Sequence, residues 1–225
     1  MAMQWHDLLF AHWPVPVEPL RDLVPPALSL DTFERRAWVG VVPFGMSGVR
    51  PRGVPPLPWV SAFPELNVRT YVTNGGKPGV FFFSLDAGSP LIVEVARAWY
   101  RLPYFRARMS LRLEAERVHY RSTRTDRRAS GADFAGRYWP TGDVFRAYPG
   151  SLEAWLTERY CLYTVDAAGR AHRAEIHHAP WPLQAAEAEI ETNTMVEALG
   201  IPLAGPPLLH FASRLEVVAW PLRVV

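Results

Sequence analysis

Twenty-two prolines divide this 225-residue chain into short segments, and most of those segments alternate apolar and polar residues with a period of two. Proline lacks a backbone N–H and clashes with the preceding helical turn, so it leaves little room for long helices. Period-two alternation is the mark of strands with one buried face. A β-rich fold with short helices is therefore the first expectation.

The segments follow in order. Pro14, Pro16 and Pro19 separate an aromatic stretch, Trp5–Trp13, from one or two helical turns over Val17–Val24 that Pro25-Pro26 close. Ala37–Met46 is apolar on both faces and predicts a buried strand interrupted at Pro43. Gly48–Pro64 is rich in proline and reads as a structured loop of the kind that walls a site. Leu66–Thr73 and Val80–Asp86 form a hairpin across Asn74–Gly79. Ser89-Pro90 opens a helix whose inward stripe is expected at Leu91, Val95, Ala98 and Trp99. Strands are expected over Phe105–Leu113, Glu116–Arg124 and Phe134–Trp139, then a short helix over Ser151–Glu158. Arg159–Asp166 and Arg170–His178 make a second hairpin; Pro182–Glu191 fits helix or strand. Thr192–Leu199 reads as helix and Leu215–Val225 as a closing strand. The sum is a β-rich α+β chain of about ten strands in one domain, with a closed or highly curved sheet.

Composition narrows the chemistry. The formal net charge is +2, which gives no reason to expect nucleic acid or an anionic membrane as partner. No run of about 18 apolar residues and no secretory leader are visible, so a soluble cytoplasmic protein is expected. The single cysteine, Cys161, excludes an internal disulfide and a Cys-rich zinc site. Of the 24 basic residues only Lys77 is lysine. One side chain alone could thus form an imine, and it sits in a Gly75-Gly76-Lys77-Pro78 turn, where amines stay solvated and protonated.

Two clusters could carry chemistry. On a strand, Glu65, Asn67, Arg69 and Tyr71 share one face, either as a solvated stripe or as the polar lining of a cavity. In a cavity, Arg69 could clamp a carboxylate and Glu65 act as acid or base. In Glu175-Ile176-His177-His178, Glu175 and His177 share a face while His178 points away, so no metal site is expected. His177 is a second acid/base candidate; His6, His12 and His210 read as core histidines.

Several runs together resemble a known group: Leu20-Arg21-Asp22-Leu23-Val24-Pro25-Pro26, Ala37–Phe44, Glu65–Val72, Phe82–Asp86, Leu102-Pro103-Tyr104 and His177–Gln184. They resemble the YqjF-like family of uncharacterised bacterial proteins and, more distantly, the acetoacetate decarboxylase-like superfamily. The resemblance implies a curved antiparallel β-barrel with short peripheral helices and an internal ligand cavity. It places the decarboxylase lysine pair near Tyr100-Arg101, and arginine cannot form a productive imine. The expectation is a cavity protein for a small, carboxylate-bearing organic ligand, with no cofactor and with homo-oligomerisation left open. Its lining would draw on Arg69, Asn67, Tyr71, Tyr100, Arg101, Tyr104 and His178, with Glu65 or His177 as the acid/base of an alternative lyase, isomerase or hydratase. A sealed structural barrel is the third reading.

Overall fold

The computed structural model describes residues 1–55 and 61–225. The first strand, β1 (Ala2–Val15), replaces the aromatic stretch, and α1 (Val17–Leu23) follows it. Next come β2 (Ser29–Leu30), β3 (Ala37–Arg50), β4 (Phe63–Asn74) and β5 (Lys77–Ala87). Helix α2 (Pro90–Tyr100) leads into β6 (Tyr104–Glu114), β7 (Arg117–Arg124) and β8 (Asp133–Phe145). After α3 (Leu152–Thr157) come β9 (Cys161–Val165), β10 (Ala171–His178) and β11 (Leu183–Asn193). A single 3-10 turn (Glu197–Leu199), β12 (Leu208–Ala219) and β13 (Arg223–Val224) complete the chain. No helix among the described residues is long and apolar enough to cross a membrane.

The local expectations hold best where turn chemistry is explicit. Asn74 pairs with Lys77, and Gly75 and Gly76 take φ of 58° and 76°, the positive values that a two-residue hairpin turn demands. Pro43 does not interrupt β3. It pairs with Leu66 of β4, while on the other side β1 bulges between His6 and Ala11, where no N–H is asked of residue 43. The ambiguous Pro182–Glu191 segment is strand, because β8 and β12 pair with it on its two sides. The helix expected over Thr192–Leu199 shrinks to the 3-10 turn. The expected loop Gly48–Pro64 is partly strand at both ends, and its residues 56–60 lie outside the described residues.

The sheet joins thirteen strands in the order β13-β10-β9-β5-β6-β7-β8-β11-β12-β1-β3-β4-β2, with further pairings β4–β5 and β10–β12. These extra pairings close two circuits that share β5, β4, β3, β1 and β12. One runs on through β6, β7, β8 and β11. The other runs through β10 and β9, closed by three residue pairs to β12 and by two parallel pairs to β5. The shared strands therefore bury both faces, which explains why Ala37–Met46 is apolar throughout.

The two faces feed two separate cores. Leu9, Val41, Leu66 and Val68 point into the first circuit, where they meet Tyr120, Phe134, Tyr138 and Phe211. Leu8, Phe10, Val42 and Phe44 point into the second, with Phe82, Leu85 and Val217. Cys161 is buried in a third, smaller cluster with Tyr163 and Val72.

Candidate functional site

The second circuit is hollow. It encloses a cavity of about 150 Å³ lined by apolar residues of β1, β3, β5, β9 and β12, roofed by Ile92, Ala96 and Tyr100 of α2. The stripe expected to face inward on α2 does not do so: Leu91 is 59% and Trp99 70% exposed, and Val95 lies at the rim. The helix is apolar over a wide arc, so periodicity alone cannot choose which part of the arc meets the sheet.

β4 supplies the polar lining. Glu65, Asn67 and Arg69 all face the cavity, the inward alternative of the sequence reading. Glu65 is 3% exposed and accepts a hydrogen bond from Tyr104 Oη at 2.9 Å. Burial pushes its carboxyl up to about 8; the Tyr104 bond opposes that rise, and the nearby Asp86 carboxylate adds to it. Glu65 is therefore protonated at neutral pH and able to donate.

Arg69 lies beyond a register break in the β4–β5 pairing, between Val68 and Arg69. Its guanidinium carbon stands 5.2 Å from the Phe10 ring and 5.8 Å from the Tyr71 ring, and Nη2 donates to Leu156 O at 3.4 Å. Arg69 makes no ion pair among the described residues, and its buried Nε has no hydrogen-bond partner there.

A second arginine joins it. Arg159, just past α3, donates through Nη1 to Asp31 at 2.7 Å and through Nε to Trp155 O at 2.6 Å. It rests over the Tyr71 ring at 4.9 Å, and its buried Nη2 has no partner among the described residues. The sequence reading passed over Arg159 as the start of a strand. No local motif marks it, because its partners arrive from Asp31 and from α3, whose N-cap Ser151 accepts from Ala154 N. Trp5 and Trp181, stacked at 5.8 Å, also line the cavity with unpartnered indole N–H groups, as does Asn67 with an unpartnered Oδ1.

Other candidates are distributed differently. Tyr100, Tyr104 and His178 line the cavity. Burial holds the His178 imidazole below its usual range, and its ring stacks on Tyr160 at 4.7 Å. Tyr71 lies behind the wall, its hydroxyl 2.7 Å from His12 Nε2, and supports the two guanidiniums instead of lining the space. Arg101 departs from its expected place. It caps α2 in the left-handed region at φ 50°, faces outward and sits 3.6 Å from Asp166. His177 is exposed on the outer face of β10, so it does not share the cavity with Glu65. Lys77 is on that outer side too, its Nζ 2.5 Å from Glu175 Oε2. No group of three or more His, Cys, Asp or Glu residues among the described residues is placed to share a metal ion.

This architecture is that of acetoacetate decarboxylase-like proteins. The acetoacetate decarboxylase of Legionella pneumophila superposes with a TM-score of 0.62 at 13% identity, covering 100% of this chain and 87% of that one. The enduracididine biosynthesis enzyme MppR, in a structure complexed with pyruvate, gives 0.65 at 8% identity, covering 99% and 89%. Within that fold, the sequence is specific: the chain belongs to the DUF2071 family of uncharacterized conserved proteins, whose profile matches residues 2–216. It is 48% identical over 224 residues to the uncharacterized protein YqjF of Bacillus subtilis, covering 99% of this chain and 91% of that protein.

Proposed function

We propose that the hollow circuit is a curved barrel that binds a small organic acid through its carboxylate. The observation that carries this is the guanidinium of Arg69, without an ion pair among the described residues and set beside Arg159 in a largely apolar cavity. An unmet buried donor costs about 1–3 kcal/mol, and a cation without a counter-ion more. A bidentate carboxylate relieves both costs at once. The pyruvate in the MppR structure makes a keto acid the natural first ligand to try.

A second reading turns the binder into an enzyme, and the state of Glu65 favours it. A carboxylic acid that titrates at about 8 can donate a proton to a carbonyl or leaving hydroxyl and take one back near neutrality. Non-decarboxylating isomerase, hydratase or lyase chemistry follows from that. Schiff-base chemistry forms no part of either reading, since Lys77 lies on a solvated turn with Glu175.

The test is calorimetric titration of keto and hydroxy acids into the wild type and Arg69→Gln. The expected result is binding that Arg69→Gln weakens by about tenfold or more. Borohydride reduction with a β-keto acid, read by mass spectrometry, is expected to leave the protein unmodified. A stable adduct at Lys77 would overturn the exclusion of the imine.

A further inference from the structure

The cavity has two polar ends, and their separation bears on the ligand, granted that a carboxylate is what binds. Glu65 and Arg69 are four residues apart on one face of β4, about 13 Å between Cα atoms in an extended strand. Their side chains are then held at opposite ends. Arg69 reaches Leu156 O at the end of α3 and the Tyr71 ring, two residues further from Glu65 along the strand. Arg159 meets the same ring from its own anchor on Asp31.

Glu65 is engaged instead by Tyr104, which enters at the start of β6 beside Leu85. Asp86 acts on the acidity of Glu65. Between the two ends lies Asn67, halfway along β4, flanked by Val42 and Leu85 on the neighbouring strands, all three lining the cavity.

We infer that the ligand is a keto or hydroxy acid whose carboxylate and oxygen function are separated by an apolar chain. An α- or β-keto acid carries the two groups at most one carbon apart and cannot touch the arginine pair and Glu65 together. An upper limit comes from volume: a cavity of about 150 Å³ is of the size that holds benzene, so a keto acid of about five carbons, whose three oxygens add to its bulk, is near the limit.

Titration calorimetry on the full chain tests this with straight-chain keto acids, from pyruvate and acetoacetate through levulinate to medium-chain homologues. Each is paired with the plain acid of the same length, so that chain hydrophobicity cancels. A keto acid is expected to outbind its plain counterpart by about tenfold at intermediate length, and by little for pyruvate and acetoacetate. Glu65→Leu, which removes the donor, is expected to shrink that keto advantage, while Arg69→Gln weakens every acid alike. If pyruvate or acetoacetate shows the largest keto advantage, the two-ended ligand is wrong and the carboxylate site stands. If no acid of any length binds a folded wild type, both fall.

Discussion

The two circuits are built from the same five shared strands, yet one is filled and the other is hollow. In the filled circuit the large polar side chains find backbone partners: Tyr120 donates to Glu65 O at 2.7 Å and Tyr138 to Asp7 O at 2.8 Å. Aromatic packing completes it, with Tyr120 and Phe134 edge to face at 6.0 Å. In the hollow circuit Arg69, Arg159, Asn67, Trp5 and Trp181 keep buried polar atoms that nothing in the described protein meets. The two circuits therefore differ less in hydrophobicity than in whether their large polar side chains are satisfied, since Ser84 and Ser122 beside the filled core also keep an unmet Oγ. That difference is what makes the second circuit the candidate site.

Three substitutions press on this contrast, the largest effect first. Glu65 ionises near 4.5 when unfolded and near 8 when folded. Between those values the unfolded state sheds a proton that the folded state keeps, so stability falls as pH rises from 4.5 to 8 and the penalty is complete above that. Glu65→Gln is expected to remove it, gaining on the order of 5 kcal/mol at pH 9 and almost nothing at pH 4. Chemical denaturation across that range reads it, and a gain independent of pH would show Glu65 to be ionised in the fold.

Arg159→Ala strips Asp31 of its partner and Tyr71 of the nearer of its two cations; a loss of about 3 kcal/mol in a urea melt is expected. Should the variant prove as stable as the wild type, the arginine pair costs the hollow circuit more than it returns. Tyr120→Phe removes one satisfied hydrogen bond from the filled circuit, and about 1 kcal/mol should go with it. A much larger loss would mean that the filled circuit also leans on polar networks, and the contrast between the circuits would weaken.

How much of this could be read beforehand is clearest from paired strands. In β4, alternation grouped Glu65, Asn67 and Arg69, and they do share a face. In β10, the same rule grouped Glu175 with His177, and they share a face too. Yet one face lines the cavity and the other meets solvent, because a period of two says which residues go together and not which way they turn. The stripe on α2 failed for the same reason: Ile92 and Ala96, not Leu91 and Trp99, are the ones the sheet covers. β1 went unassigned because its aromatic residues serve two cores at once, which erases alternation.

Short-range chemistry, then, was written in the sequence by itself: the Gly75-Gly76 turn, the Ser89-Pro90 helix start, the Glu65–Tyr71 face and the lone lysine. Each depends on a few neighbouring residues and on backbone sterics. Tertiary structure decided the rest. The closure of two circuits turned one face of β4 inward, and only a distant Asp31 and α3 could bring Arg159 beside Arg69. The Arg159–Asp31 contact joins residues 128 positions apart, and no local pattern encodes a partner at that distance.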